Sequence, residues 1–561
     1  MEKSDFVIVG GVAAGPKAAA TLARRLPGAS ITLFQKEDEL SYATCGMPFF
    51  ASGELSDFQE LTQTPFGVVR NAHFFRQSKR FEAVTGAEVV SIDRTAHNVT
   101  VKNLATGDEV QHGYGKLVLA TGARPAPPKF PVTDSPVVQP FTRPDDARGF
   151  RQLAQRGQIG SVAVIGAGFI GCELAEAVRD MWGIEATVIE RESQILPYVL
   201  DPEMAAMVQR ELGRQEITVL TGSTVEGVSL NKDDGRPVVK VSGQDPLTVD
   251  YVFLCMGVRP SVELAREAGL EIGKTGGIVV DRTMRTSDPD IYAGGDCVET
   301  TSLLTGQPMY IPMGSLANRH GRVIAENLAG NTMEYEGALG AFVLREFELN
   351  VGTVGLTAES ASRAGITAEA VWGSFSDKPD YFPESKRIAV KMVYESGTDR
   401  LLGLQAIGAG DVCRRIDVFS TMLSRRASID DLFGFEHCYA PPFSEALDPL
   451  HHLAGMARAK QRGMDFVPLP SRLDPKEADI WIDVREANEV QAHPLAFDRG
   501  EAEVRSIPLN DLVEAVSDLD SDKRIIIVCQ RGSRSYQAVI LLNGLGFTNV
   551  RTLSGGLHGQ M

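Results

Sequence analysis

Residues 161–172 read SVAVIGAGFIGC, an apolar run that stops at Gly166-Ala167-Gly168-Phe169-Ile170-Gly171 before a helix expected through 181 and a strand over 186–189. Strand, glycine turn, helix, strand is the opening of a parallel nucleotide-binding sheet. In such a loop Gly166 makes the tight turn, Gly168 lets backbone approach a pyrophosphate, and Gly171 lets helix and strand pack closely. The first helical residues, Phe169 and Ile170, bring free N–H groups and the positive end of a helix dipole to the phosphates. Glu190 closes the second strand, where a carboxylate holds a ribose 2′-OH and repels a 2′-phosphate; the adjacent Arg191 offsets part of that repulsion.

The pattern occurs a second time about 155 residues earlier, a spacing that points to two dinucleotide domains and excludes a solenoid of short repeats. A strand over 6–9 runs into Gly10-Gly11-Val12-Ala13-Ala14-Gly15, an Ala-rich helix to 26 and a strand over 31–34. This loop departs from the full pattern: Val12 takes the second glycine place, and Gln35, followed by Lys36, stands where an acid would end the strand. Gln35 can still hydrogen-bond a ribose hydroxyl. Two further stretches end apolar strands in glycine, LVLATGARP at 117–125, with Thr121-Gly122 at its strand end, and IYAGGDC at 291–297, with Asp296 after a glycine pair. A carboxylate there can bind a polyol hydroxyl.

The 561 residues predict three or four domains. With 43% hydrophobic and 23% charged residues the chain is globular, which excludes wholesale disorder. A net charge of −17 without a long basic run excludes wrapping of nucleic acid. No apolar stretch is long enough to span a bilayer, and the first eleven residues are too short an apolar run for a signal peptide. Seven scattered cysteines make neither a disulfide framework nor a zinc site, so no metal is expected and a reducing, cytoplasmic setting is. One of them, Cys45 in Ser41-Tyr42-Ala43-Thr44-Cys45-Gly46-Met47-Pro48, sits just past the second strand, where ligands bind in parallel-sheet folds.

Four ordered motifs over residues 5–455 resemble the pyridine nucleotide-disulfide oxidoreductases. The resemblance implies that Gly10, Gly11, Ala14, Gly15, Gln35, Lys36, Ser41, Thr121, Gly122 and Asp296 hold FAD. It implies that the second loop, with Glu190 and Arg191, holds NADH, with NADPH the alternative. Disulfide reductases of this family carry C-x-x-x-x-C; here Phe50 occupies the second place. Cys45 must therefore cycle as a thiolate, mixed disulfide or persulfide with an incoming partner. A lone cysteine in this setting is similar to the coenzyme A-disulfide reductase and persulfide reductase branch. That likeness implies Tyr439, in YAPPFS, as a catalytic acid supplied by the partner subunit of a homodimer, and Tyr381 as its neighbour at a site where the branch has two aromatics. It also implies substrate contacts at Ser41, at Thr44, which replaces the branch's Asn, and at Arg24, where the branch aims a cation at coenzyme A phosphates. Arg24 and Arg25 read equally well as a solvated helix end.

An apolar strand over 525–528 ends in Cys529-Gln530-Arg531-Gly532-Ser533-Arg534-Ser535. A cysteine at the head of a loop that wraps into a helix meets inward N–H groups; with Arg531 and Arg534 these favour an anion in the loop. With Asp483-Val484-Arg485 and Ser554-Gly555-Gly556, residues 472–561 resemble a rhodanese domain, and the C-x4-R spacing suits sulfane sulfur better than phosphate.

The expected fold is α/β, with two Rossmann-like dinucleotide-binding domains, an α+β dimerisation domain and a C-terminal rhodanese-like domain. The expected bounds are 1–150 and 276–333 for FAD, 151–275 for NAD(P)H, 334–455 for dimerisation, 456–471 for a linker and 472–561 for rhodanese. The expected function is NADH-dependent, FAD-containing reduction of persulfides, polysulfides or coenzyme A disulfide, with coenzyme A as substrate or bound ligand and Cys529 handling sulfane sulfur. The alternatives are an NADH oxidase or peroxidase cycling Cys45 through sulfenic acid, and a sulfurtransferase with a regulatory flavoprotein portion.

Overall fold

The structure is a computed structural model that describes residues 2–467, 478–495, 497 and 500–559. The chain divides into two compact units, Met1–Ser193 with Gln215–Ala338, and Gln194–Arg214 with Leu339–Met561.

The first unit is built on two main sheets, with three smaller antiparallel ones among the described residues. Glu82–Val84, Ile31–Phe34, Glu2–Val9 and Glu109–Leu119 lie side by side in parallel, and Ile291–Ala293 joins Glu109–Leu119 in parallel; Asn98–Asn103 and Ala87–Asp93 extend that sheet as an antiparallel edge. The second sheet is wholly parallel, in the order Thr218–Leu220, Glu185–Ile189, Ser161–Ile165, Tyr251–Leu254 and Val138–Gln139. Strands covered on both faces read as unbroken apolar runs, and Val7, Ile8, Val162, Ala163 and Val164 are all essentially without exposed surface. Helix Ala14–Arg25 and helix Gly314–Leu328 approach so closely that a Cβ on Gly321 would stand 2.4 Å from the Ala14 carbonyl oxygen.

The second unit holds an antiparallel sheet, Phe342–Glu346, Leu349–Gly355, Leu401–Gly408, Arg387–Glu395 and Ala368–Ser376 in spatial order. It also holds a parallel sheet in the order Asp465–Val467, Val550–Leu553, Ile525–Val528, Ile480–Asp483 and Glu503–Ser506. Among the described residues no helix is long and apolar enough to cross a membrane.

Three expected boundaries shift. The 150/151 division falls inside helix Pro144–Gln155, and Val138–Gln139 already pairs in the second sheet. Helix Pro202–Arg214, expected wholly within the nucleotide domain, belongs to the second unit, where Asp201 and Glu203 clasp the buried Lys391 of the antiparallel sheet. The linker expected over 456–471 is instead mostly ordered structure. Helix Pro449–Gln461 runs through its start, and Asp465–Val467 is an edge strand of the last sheet; residues 468–471 and 472–477 lie outside the described residues. The basic run that suggested a linker is the helix's last turn, where cations suit the dipole and Arg458 and Lys460 pair with Asp430 and Glu369.

Candidate functional sites

In the first unit the two glycine loops are built alike. Gly10 and Gly166 sit at φ +110° and +107°, and a Cβ on either would meet the carbonyl oxygen of Ala120 at 2.1 Å or of Cys255 at 2.3 Å. Gly15 and Gly171 would drive a Cβ to 1.9 and 2.0 Å from the Gly10 and Gly166 oxygens. Only glycine fits these four places. Gly168, by contrast, faces open space, so Val12 at the matching place of the first loop costs nothing in protein packing.

The residue ending each second strand ties the loop down. Gln35 Oε1 accepts the Gly11 N–H at 2.8 Å, and the buried Glu190 accepts the N–H groups of Ala167 and Glu192, each at 2.9 Å. Both side chains therefore shape the loop backbone, a role the sequence did not show. Arg191, exposed, leans onto Glu192 at 3.0 Å, and Lys36 onto Glu37 at 3.9 Å. Helix Phe169–Asp180 starts at Phe169 with Gly168 as its N-cap. Thr121 Oγ1 donates to the Ser261 carbonyl at 2.6 Å, and Gly122 takes φ +70°. Asp296 accepts the Met313 N–H while burial pushes its carboxyl up to about 6. A desolvated acid of this kind gains from hydroxyl donors, and together with the two loops it fits a bound dinucleotide.

Cys45 lies in the 3-10 turn Thr44–Gly46, which leads into helix Met47–Ser52, and both Thr44 and Cys45 are exposed. Ser41, at φ 52°, donates its N–H to the Gly11 carbonyl at 2.8 Å, which ties this segment to the first glycine loop. Phe50 is buried edge-on to Phe58 with the Arg151 guanidinium over its ring, so the place of a second cysteine is filled by core. The Cys45 thiol is pushed up, first by crowding of nearby protein atoms and then by the carboxylates of Glu173 and Asp296, against a lowering hydrogen bond with Thr44. Glu173 itself is driven up to about 7 by burial and by Glu176. Sequence reasoning missed it; the available signal was an acid just after Gly171 in an otherwise apolar turn.

Arg24 lines a cavity of about 310 Å³ with Lys17, Thr21, Arg25, Arg322 and Glu326. Arg25 is spent on Glu326 at 2.7 Å, and Arg24 donates to Thr21 at 3.1 Å, which leaves a cationic pocket. Lys17 and Arg322 had no motif to announce them.

In the second unit Tyr381 and Tyr439 are exposed and hydrogen-bonded to each other, with Tyr381 raised by desolvation, Tyr439 and Glu445. In the parallel sheet Cys529 is fully buried at the end of Ile525–Val528. Its Sγ accepts the N–H of Gly532 at 3.0 Å and of Ser535 at 3.4 Å, and lies 3.5 Å from Ser535 Oγ. Gly532, at φ +99°, starts helix Ser533–Gly544. The loop is braced from below: Arg485, buried against Asp483, also reaches Gln530, and Gly556 lies so close that a Cβ would meet Cys529 O at 2.7 Å. The expected cationic contribution differs, because Arg531 is bound to Asp380 and Arg534 to Glu489.

Family models match the pyridine nucleotide-disulphide oxidoreductases over residues 4–316, their dimerisation domain over 346–451 and a rhodanese-like domain over 469–559. A solved NAD-dependent persulfide reductase from A. fulgidus is 35% identical with TM-score 0.93, covering 99% of this chain and 100% of that one. The NAD(P)H coenzyme A polysulfide/persulfide reductase of Pyrococcus horikoshii is 32% identical over 81% of this chain and 98% of its own. An NADH oxidase of Methanocaldococcus jannaschii is also 32% identical, over 79% of this chain and 96% of its own.

Proposed function

Because the chain belongs to the pyridine nucleotide-disulphide oxidoreductases, which use FAD and NAD(P)H, and carries a rhodanese-like domain, we propose that it reduces persulfides, polysulfides or coenzyme A disulfide at Cys45. The net reaction for a persulfide is R–S–SH + NADH + H⁺ → R–SH + H₂S + NAD⁺. FAD, when bound, supplies the two-electron relay between nicotinamide and sulfur. The first glycine loop, Gln35, Thr121, Gly122 and Asp296 would hold it; the second loop and Glu190 would hold the nicotinamide nucleotide. Glu190 favours NADH, since its buried carboxylate repels a 2′-phosphate while Arg191 is drawn to Glu192.

The Cys45 thiolate attacks one substrate sulfur, an S–S bond to Cys45 forms, the substrate's S–S bond breaks, and a thiolate or hydrosulfide leaves. Tyr439, steadied by Tyr381, donates a proton to that leaving group across a homodimer interface; the exposure of both tyrosines on the dimerisation segment supports this role. The cavity around Lys17, Arg24 and Arg322 supports coenzyme A as the carrier, since three cations free of the Arg25–Glu326 pair match its phosphates. Seven free thiols fit a reducing cytoplasm. Cys529 accepts sulfane sulfur, a reading supported by its N–H cradle.

The observation that carries the proposal is an exposed cysteine whose segment is tied to a glycine loop, with Phe50 where a disulfide partner would be. Likeness to an NADH oxidase keeps one second reading, peroxide or oxygen reduction through a Cys45 sulfenic acid. Anaerobic NADH turnover with persulfide, polysulfide, coenzyme A disulfide and peroxide separates them. Faster turnover of the sulfur substrates is expected; fast peroxide turnover with indifference to persulfide overturns the proposal.

A further inference from the structure

Both arginines of the Cys529 loop are held by carboxylates, and one of those carboxylates comes from outside the rhodanese-like domain. Arg531 Nη1 donates to Asp380 Oδ2 at 2.5 Å; Asp380 Oδ1 lies 3.1 Å from Arg387 Nη2 and accepts from the Ser376 hydroxyl at 2.6 Å. Arg534 donates through both terminal nitrogens to Glu489, each at 2.6 Å, and this pairing holds the Glu489 carboxyl down to about 2. Asp380 stands just past strand Ala368–Ser376 of the antiparallel sheet. The contact there is tight: a Cβ on Gly555 would stand 2.1 Å from the Trp372 ring. The hydrogen-bonding partners of the sulfur are neutral dipoles, the Gly532 and Ser535 N–H groups and the Ser535 hydroxyl, while Arg534, engaged first by Glu489, acts on it only through its field.

This arrangement discriminates between sulfur donors. Thiosulfate brings two negative charges and leaves as sulfite, so it needs cations beside the sulfur that are not already neutralised. An alkyl persulfide leaves as a single thiolate, which backbone N–H groups stabilise adequately. We propose that Asp380 and Glu489 make the Cys529 loop selective for alkyl persulfides over thiosulfate, with Asp380 a specificity-determining residue contributed by the dimerisation domain. The inference rests on Cys529 being the sulfur acceptor. In that step the Cys529 thiolate attacks the outer sulfur of R–S–SH, a Cys529–S–SH bond forms, the donor S–S bond breaks and RS⁻ leaves. The proton stays on the transferred sulfur and no net oxidation occurs.

The test loads the full-length holoenzyme anaerobically with N-acetylcysteamine persulfide or with thiosulfate and follows persulfide on the Cys529 peptide by mass spectrometry. The expected preference for the alkyl persulfide in kcat/KM is at least about tenfold. Asp380→Asn should raise thiosulfate loading about tenfold, mainly through KM, and leave alkyl persulfide loading within about twofold. Glu489→Gln should move thiosulfate in the same direction, which keeps the proposal testable if one variant folds poorly. Equal loading by both donors in the native protein, or an unmoved donor ratio in both variants, overturns the inference. Loading by neither donor overturns the assignment of Cys529 itself.

Discussion

Cys45 is exposed in a one-turn segment and faces the carboxylates of Glu173 and Asp296, whereas Cys529 has no exposed surface and its sulfur receives two backbone N–H groups. The chain's own atoms oppose a thiolate at the first, while at the second they aim two N–H groups at the sulfur. The Cys529 cradle is therefore complete within its own loop. At Cys45 the Thr44 side chain and the Cys45 backbone supply hydrogen bonds, and burial and the two carboxylates outweigh them.

The strongest way to break this comparison is to remove each sulfur in turn. Cys45→Ser should lower NADH-dependent reduction of every persulfide and disulfide by at least about a thousandfold, because serine cannot hold the sulfur intermediate. Flavin bleaching by NADH in anaerobic stopped-flow should survive, since both glycine loops are untouched. Retained reductase activity would end the mechanism. Cys529→Ser should reduce sulfur loading of the last domain to background and leave reduction of small, diffusing persulfides within about twofold. A well-folded Cys529→Ser protein without any reductase activity would show that the two thiols act in series.

A smaller effect tests the acidic side of the comparison. Glu173 titrates near 7 in the folded chain and near 4.5 when unfolded, so the folded state favours its protonated form. Its stabilising contribution is complete below about 4.5 and is lost as pH rises through about 7, a change on the order of 3 kcal/mol. Asp296, raised to about 6, acts in the same direction. Glu173→Gln should therefore flatten the decline in the stability of the flavin-free chain between those pH values, read by urea unfolding. An unchanged slope would place the buried charge elsewhere.

What could be read in the sequence follows from how local each interaction is. Gly15 and Gly171 were legible because each close approach, to Gly10 or to Gly166, lies within one strand-turn-helix unit, where spacing encodes geometry; the neighbours that forbid a Cβ at Gly10 and Gly166, Ala120 and Cys255, lie far along the chain and only the motif announced those two. The Cys529 loop was legible for the same reason. The pairing of Arg531 was not, because Asp380 is far away in the chain and carries no motif of its own. Lys17 and Arg322 meet only because two helices pack through Gly321. The basic stretch before residue 470 misled as a linker because a helix C-terminus and a flexible connector favour the same cations.

The smallest prediction sharpens the role of backbone at the second thiol. Gly532 stands at φ +99°, where an L side chain is strained by about 1–2 kcal/mol, yet a Cβ there would meet only the Gly556 nitrogen at 3.8 Å. Gly532→Ala should therefore fold, and its cost should appear as a rotated peptide rather than a collision. Since that peptide supplies the 3.0 Å N–H to the sulfur, the transfer rate at Cys529 should fall about tenfold while Cys45-dependent reduction is unchanged. The rate of Cys529 alkylation at a fixed pH should change in the variant, because one of the N–H groups that hold the sulfur is lost. An alkylation rate identical to the native one would mean that Ser535 alone suffices to hold the sulfur.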